Sequence, residues 1–133
     1  FIGDSVMATF GTPVSRGNDA QNALNCIRQM QISMREWEKE RTDNGLPAIK
    51  HRVGVHYGSC FVGNVGSEDR VEFTVIGDTV NLAARLCSSA KPGQILVSDS
   101  VFIKTEKTFN FKKLEPLSLK GKRKRVNIFL VEQ

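Results

Sequence analysis

Residues 73–86 read FTVIGDTVNLAARL, and this stretch decides how the rest of the chain is interpreted. Its first four residues are apolar or β-branched, which favours a strand, and a Gly-Asp pair then breaks the pattern. From Thr79 to Ala90 the apolar residues recur at three-to-four spacing, which is typical of an amphipathic helix. Asn81 and Arg85 are four residues apart, so the sequence predicts that both side chains lie on one face of that helix.

An amide and a guanidinium on one helix face suit the binding of a phosphoryl group. Arginine presents a planar fork of donors to phosphate oxygens, and it can stabilise negative charge that grows in a transition state. The spacing alone leaves a second interpretation equally open, in which Arg85 is a helix-surface residue and Asn81 a capping-type residue. The neighbouring Asp78 is predicted to serve as a turn or N-cap residue.

Upstream of this unit, the sequence predicts a long helix between short strands. Residues 7–11 indicate a short buried strand that follows a turn at Gly3-Asp4. A helix is predicted from Asp19, as its N-cap, to Asn44-Gly45, with its methionine and tryptophan stripe in the core. Strands are predicted at 49–57, where His56 is expected to be a hydrogen-bonded sheet residue, and at 61–65.

Downstream, the pattern alternates between short strands and one short helix. Strands are predicted at 95–97, 109–119 and 126–131, and a helix at 99–104. The last two strands flank a basic turn that begins at Lys120 and continues through Lys122, Arg123, Lys124 and Arg125. Helices interleaved with hairpin-linked strands predict an α+β fold, a mostly antiparallel sheet with helices packed on one face.

Composition indicates one soluble globular domain. The 133 residues are 40% hydrophobic and 25% charged, and no apolar run approaches the length of a membrane span. Cys26, Cys60 and Cys87 are odd in number and widely spaced, which predicts reduced, packed thiols in the cytoplasm. The net charge of +5 sits largely in the basic turn, which either binds phosphate or nucleic acid or is a solvated hairpin tip.

The opening segment FIGDSVMA, residues 1–8, places a carboxylate in a turn between apolar residues. Asp4 is thereby predicted to present a hard oxygen ligand of the kind that Mg²⁺ prefers. A Gly-Asp turn between strands is common, so this segment by itself favours plain turn chemistry over a metal ligand.

Taken together, these motifs resemble the class III adenylate and guanylate cyclase family. The resemblance rests on IGD at 2–4 through FG at 10–11, on GVHYG at 54–58 with VGNVG at 62–66, and on residues 73–86, GQILVS at 93–98 and LKGK at 119–122. It implies a ferredoxin-like cyclase fold. It also implies that residues 1–133 are the C-terminal part of a single catalytic domain whose N-terminal strand and helices are missing here.

The resemblance implies a role for four residues of this chain. Asp4 matches the second of two aspartates that hold two Mg²⁺ (or Mn²⁺) ions beside the triphosphate, where the metals assist attack of the ribose 3′-hydroxyl on the α-phosphate. Asn81 matches the asparagine that orients the ribose, and Arg85 the arginine that stabilises the transition state. Lys120 matches the lysine that binds the terminal phosphates.

The resemblance also implies a preference for the base. Thr74 occupies the position at which guanylate cyclases usually carry cysteine and adenylate cyclases aspartate or threonine. Its hydroxyl can accept a hydrogen bond from the adenine amino group, beside the Val75 backbone. The expected activity is therefore that of an adenylate cyclase, which converts ATP into 3′,5′-cyclic AMP and pyrophosphate in intracellular signal transduction.

A family active site is built across a dimer interface, and this chain carries residues of both halves, which implies a homodimer with shared sites. The family's first metal aspartate and its adenine-selecting lysine fall outside the chain, so this piece alone is expected to bind Mg²⁺–ATP poorly. No nucleic acid or membrane contact is expected. The alternatives are a guanylate cyclase, a non-catalytic dimerisation or regulatory domain, and a nucleic-acid-binding module, which would expose aromatic residues on its sheet.

Overall fold

The computed structural model describes residues 4–12, 14–67, 70–118 and 124–132. Three helices lie in these ranges: α1 (Asp19–Asp43), α2 (Asp78–Ser89) and α3 (Asp99–Thr105). The strands in the same ranges are β1 (Val53–Val55), β2 (Phe61–Ser67), β3 (Arg70–Ile76), β4 (Ile95–Ser98), β5 (Asn110–Lys113), β6 (Leu117–Ser118), β7 (Arg125–Val126) and β8 (Ile128–Glu132). None of the helices in these ranges is both long and apolar enough to cross a membrane.

A four-stranded sheet in the order β1-β4-β8-β5 forms the centre of the fold. β1 pairs with β4 in parallel, whereas the β4–β8 and β8–β5 pairs are antiparallel. β2 and β3 form a separate antiparallel hairpin, and β6 pairs with β7. The predicted α+β class with a mostly antiparallel sheet is confirmed.

Alternate residues of the sheet strands enter two different cores. On β4, Ile95 and Val97 pack into a cluster with Leu24 of α1 and Val101 of α3. The intervening Leu96 belongs to a second cluster, with Leu86 and Ala90 at the end of α2. Because successive side chains of a strand point to opposite faces, α1 and α3 cover one face and α2 covers the other. The prediction that all helices lie on one face is wrong in this detail.

The core on the α1–α3 face is partly aromatic. The rings of Phe102 and Phe129 stack with centroids 4.0 Å apart, and Phe111 meets Phe102 edge to face at 5.2 Å. These contacts fix α3 against β5 and β8. Aromatic pairs of this kind add to the stabilisation that burial alone provides.

Helix α1 has nearly the predicted bounds but not the predicted burial. It begins after Asn18, and Asp19 is its first residue, where the Ser15 hydroxyl and the Arg16 amide donate hydrogen bonds to the carboxylate and lower its pKa. Its buried residues all lie in the first six positions: Asp19, Ala20, Ala23 and Leu24. Met30 and Trp37 are 51% and 41% exposed. The prediction of a methionine and tryptophan stripe in the core is wrong, because the sheet supports only the first turns of the helix.

Three predicted strands are absent or shorter in the structure, among them the strand at 109–119, which is divided into β5 and β6. Residues 6–12 form no strand, and Val6, Met7 and Phe10 are exposed, so the predicted buried strand at 7–11 is wrong. A strand needs a partner ladder, and in the described ranges the chain forms only a single bridge at Ser5, just before this segment. The strand predicted at 49–57 shrinks to β1, because its partner β4 offers only three paired positions.

The three cysteines are all free, as predicted, but they do not all pack. Cys60 and Cys87 are partly buried, whereas Cys26 is exposed on α1. The packing prediction is therefore wrong for Cys26. Residues 119–123, which include the first part of the basic turn, lie outside the described residues, and Arg125 at its end begins β7.

Candidate functional site

The candidate site is built on the passage from β3 into α2. Gly77 separates the two elements with φ of +138°, a backbone conformation that residues with a side chain rarely adopt. Its carbonyl accepts hydrogen bonds from the amides of Val80 at 3.1 Å and Asn81 at 3.3 Å, which starts the helix. The chain thus turns from strand to helix in one residue, as the Gly-Asp break predicted.

The backbone of α2 lies directly on β1. A β-carbon placed on Gly54 would lie 2.3 Å from the amide nitrogen of Cys87 and 2.5 Å from the carbonyl oxygen of Ala83. The Cys87 thiol also donates to the Arg52 carbonyl at 3.4 Å. Only glycine permits an approach this close, because any side chain would meet helix backbone rather than a movable group.

Because one side of α2 packs against β1, the orientation of the remaining helix faces is fixed. Thr79, Ala83 and Cys87 follow one another at four-residue spacing and form the side turned toward β1 and the loop after it. Asn81 and Arg85 each come two residues later, which rotates them by about 200° around the helix axis. Both are exposed, and Leu86 between the two sides is fully buried. The predicted shared face of Asn81 and Arg85 is therefore confirmed, and it faces solvent.

The residues predicted to select the base lie in the strand that leads into this helix. Thr74 and Val75 belong to β3, where they pair with Gly63 and Val62 of β2. The strand, the turn and the helix thus place the predicted base-selecting and phosphate-binding positions in one continuous unit. Lys120, predicted to bind the terminal phosphates, lies outside the described residues.

Asp4 lies in an exposed turn, where its carboxylate can reach a solvent-borne cation. Within the described residues, no hydrogen bond or ion pair joins it to Asn81 or Arg85, and no group of three or more His, Cys, Asp or Glu side chains could enclose a metal. Mg²⁺ commonly binds through one or two carboxylates, with the remaining positions filled by water and substrate phosphate. Asp4 fits the role of one such ligand and not that of a complete protein site.

A cluster that the sequence did not predict joins the ends of β1 and β4. The Nδ1 atom of His56 lies 2.6 Å from the hydroxyl of Ser98, which is 1% exposed, and that hydroxyl lies 3.0 Å from the Ser100 hydroxyl. Ser100 in turn donates to the Tyr57 carbonyl at 2.8 Å. His56 is hydrogen-bonded, as expected, but it lies just beyond β1. Only the parallel pairing of β1 with β4 brings these residues together, and no local pattern indicates that pairing.

Burial lowers the pKa of His56 from the ordinary value of 6.5, because partial desolvation disfavours the charged imidazolium. The unfolded chain therefore binds the proton more readily than the folded chain. The contribution of neutral His56 to the free energy of unfolding is therefore complete above the pKa of the unfolded chain. It is lost as the pH falls from that value through the lower pKa of the folded chain.

We expect the free energy of unfolding to decrease as the pH is lowered from 7.5 to about 5.5, the range around the unfolded histidine pKa. In the His56→Asn variant, which keeps a polar side chain without a titrating ring, this decrease should be smaller. Urea unfolding across the pH series measures it. His51→Asn, at an exposed histidine, is the matched control for exchanging a histidine for asparagine. Equal slopes for His56→Asn and the wild type would contradict the assignment.

The whole chain matches a family model. The model describes the adenylate and guanylate cyclase catalytic domain, and it matches residues 1–133. Adenylate cyclase 1 of Rhizobium meliloti (strain 1021) is 32% identical over 133 residues, which is 98% of this chain and 20% of that protein. An adenylate cyclase of Anabaena cylindrica is 32% identical over 141 residues, covering 99% of this chain and 27% of its own length. The chain therefore spans less than a third of either relative.

Solved structures of similar fold include enzymes named for either nucleotide. The adenylyl cyclase CyaB from P. aeruginosa superimposes with a TM-score of 0.86 and 30% identity, covering 93% of this chain and 65% of its own. The guanylyl cyclase Cya2 gives a TM-score of 0.85 and 33% identity, with 92% and 62% covered. These likenesses confirm the predicted cyclase fold. Because one structure is an adenylyl cyclase and the other a guanylyl cyclase, the fold does not distinguish ATP from GTP as the substrate.

Proposed function

Because the chain belongs to the adenylate and guanylate cyclase catalytic-domain family, we propose that it is the C-terminal part of an adenylate cyclase catalytic domain. The reaction is the conversion of ATP into 3′,5′-cyclic AMP and pyrophosphate, in signal transduction. The cytoplasm, where ATP is abundant, is the proposed compartment, and three unbridged cysteines agree with its reducing conditions.

One observation carries the proposal. Asn81 and Arg85 stand on the solvent face of a helix whose opposite side is seated on β1 through backbone contacts. An exposed pair on a rigid support is what a transition-state site requires, since donors held in place need not reorganise as charge develops.

Each of the proposed site residues has a distinct task. Asn81 orients the ribose, so that its 3′-hydroxyl faces the α-phosphate. Arg85 donates from its planar guanidinium to phosphate oxygens, whose negative charge increases as the new P–O bond forms and the bond to pyrophosphate breaks. Lys120 neutralises the terminal phosphates as a flexible point charge.

Asp4 is the residue of this chain that would hold a divalent cation, Mg²⁺ or Mn²⁺, and two such ions per site are proposed. When bound, the cations supply charge neutralisation at the triphosphate and polarisation of the attacking hydroxyl. The exposure of Asp4 supports this role, because the cation arrives with the nucleotide and keeps several water ligands.

We further propose that the active form is a homodimer. Asp4 belongs to one set of active-site residues, and Thr74, Asn81, Arg85 and Lys120 belong to the other. A symmetric pair of identical chains can combine both sets twice, which yields two equivalent sites at the interface. A partner with degenerate residues is not needed for such an arrangement.

The proposal is tested by the choice of substrate. The full-length protein, purified and supplied with Mn²⁺ or Mg²⁺, is given ATP or GTP, and the cyclic nucleotide is identified by chromatography. We expect cyclic AMP to predominate. Cyclic GMP as the main product would establish the guanylate cyclase alternative. That alternative is supported by the likeness to a guanylyl cyclase structure at 33% identity. No product from either nucleotide would favour the regulatory domain.

Thr74 is proposed to select the base, since its hydroxyl accepts a hydrogen bond from the adenine amino group. We expect Thr74→Val, which has nearly the same shape but no acceptor, to reduce kcat/KM for ATP about fivefold, the equivalent of one hydrogen bond worth about 1 kcal/mol. Thr74→Ser keeps the hydroxyl and serves as the control. A Thr74→Val enzyme that discriminates between ATP and GTP as well as the wild type does would contradict this role.

A further inference from the structure

The loop between β1 and β2 links the central sheet to the first turn of α2. On the sheet side, the His56 ring lies 2.6 Å from the buried Ser98 hydroxyl, and the Tyr57 carbonyl accepts a hydrogen bond of 2.8 Å from Ser100. On the helix side, the Thr79 hydroxyl donates to the Ser59 carbonyl. The loop is therefore attached at both ends by side chains that are remote in sequence.

Gly58 brings the loop backbone against Thr79. A β-carbon at this position would lie 2.8 Å from the Thr79 hydroxyl oxygen and 3.4 Å from its methyl carbon. The threonine side chain thus occupies the space that a larger residue at 58 would need. The hydrogen bond to Ser59 and the close fit on Gly58 together hold Thr79 in one position.

Thr79 lies two residues before Asn81 and six before Arg85. Ala83 and Cys87 pack α2 against Gly54 of β1. These contacts lie about one and two turns C-terminal to Thr79. In the first turn of α2, the Thr79 hydroxyl donates a hydrogen bond to the loop between β1 and β2. A helix end that loses such a tie unwinds more readily than the rest of the helix.

We propose that Thr79 is a positioning residue, which acts through its bond to the Ser59 carbonyl to hold the first turn of α2 and so orient Asn81 and Arg85. The role in the reaction rests on the proposed function. Thr79 itself faces the loop, away from the side of α2 that carries Asn81 and Arg85, so it is not a catalytic residue. An error of about 1 Å in the placement of a catalytic group can cost a hundredfold in rate, so a small loss of order at this helix end has a measurable effect.

The test compares Thr79→Val, which keeps the shape and removes the donor, with Thr79→Ser, which restores the donor. The matched control is Thr42→Val, because the Thr42 hydroxyl also donates to a backbone carbonyl, that of Lys39 at 3.0 Å, but within the last turns of α1. In the full-length protein, we expect Thr79→Val to lower kcat about five- to tenfold with less than a twofold change in KM. Thr79→Ser and Thr42→Val should stay within about twofold of the wild type.

Two further measurements separate positioning from a general loss of structure. Amide hydrogen exchange over residues 77–85 should become about fivefold faster in Thr79→Val and stay unchanged in the other two variants. In an Arg85→Ala background, adding Thr79→Val should lower kcat by a smaller factor than it does in the wild-type background, because one of the two groups that Thr79 positions is already gone.

Each outcome decides between the alternatives. Unchanged exchange over residues 77–85 in Thr79→Val overturns the proposal, and so does faster exchange with an unchanged kcat. If the wild-type protein makes no cyclic nucleotide, the proposed function fails. The exchange comparison then still decides whether Thr79 holds the first turn of α2.

Discussion

We expect Arg85→Ala to lower kcat for cyclic AMP formation by about a hundred- to a thousandfold, the usual cost of removing one transition-state donor. Arg85 is exposed on a helix that is seated firmly on β1, so its removal leaves no cavity and the fold should persist. An interaction made mainly in the transition state lowers kcat with little change in KM. Initial rates of cyclic AMP formation across a range of ATP concentrations measure both constants.

Two variants sharpen this experiment. Arg85→Lys keeps the positive charge but not the planar fork of donors, so it should recover only part of the lost rate. Arg35→Ala removes an exposed arginine from α1 and should leave kcat within twofold of the wild type. A normal kcat in Arg85→Ala, or a loss of rate that is matched by unfolding, would contradict a direct role for this residue.

The second large effect is on stability. We expect Gly54→Ala to destabilise the fold by about 1–3 kcal/mol, because the new methyl group would meet the backbone of α2 at 2.3 Å and 2.5 Å. Backbone atoms of a helix cannot rotate aside, so α2 must shift as a unit away from β1. The melting temperature should fall by roughly 4 °C for each kcal/mol lost.

The matched control for this substitution is Gly63→Ala. Gly63 is also a strand glycine, but a β-carbon placed there meets nothing within 4 Å. Its stability should stay within about 0.5 kcal/mol of the wild type. Equal melting temperatures for Gly54→Ala and Gly63→Ala would show that α2 does not lie on β1 as closely as the structure indicates.

The elements that depend on local pattern were predictable. The end of β3 and the bounds of α2, within one residue at each end, follow from the pattern of residues 73–90, since a turn glycine and helical spacing act within a few residues. The shared face of Asn81 and Arg85 follows from the geometry of any helix. The family motifs extend along the chain, so the cyclase fold was also predictable.

The errors all concern contacts between distant parts of the chain. The spacing of Met30 and Trp37 is that of a buried stripe, yet both are exposed because the sheet supports only the first turns of α1. Residues 7–11 have the composition of a strand, but in the described ranges they have no ladder to join. Whether an apolar pattern is buried depends on what lies opposite, which composition does not specify.

The sequence by itself determined the family, the helix that carries Asn81 and Arg85, and the identity of the proposed site residues, because each of these is encoded in short-range spacing and motif order. Only the tertiary structure decided the rest. It placed α2 on the face of the sheet opposite α1 and α3, seated it on Gly54, and brought Ser59 to Thr79 and Ser98 to His56. The two hydrogen bonds join residues 20 and 42 positions apart, and that between Ser98 and His56 requires the parallel pairing of β1 with β4.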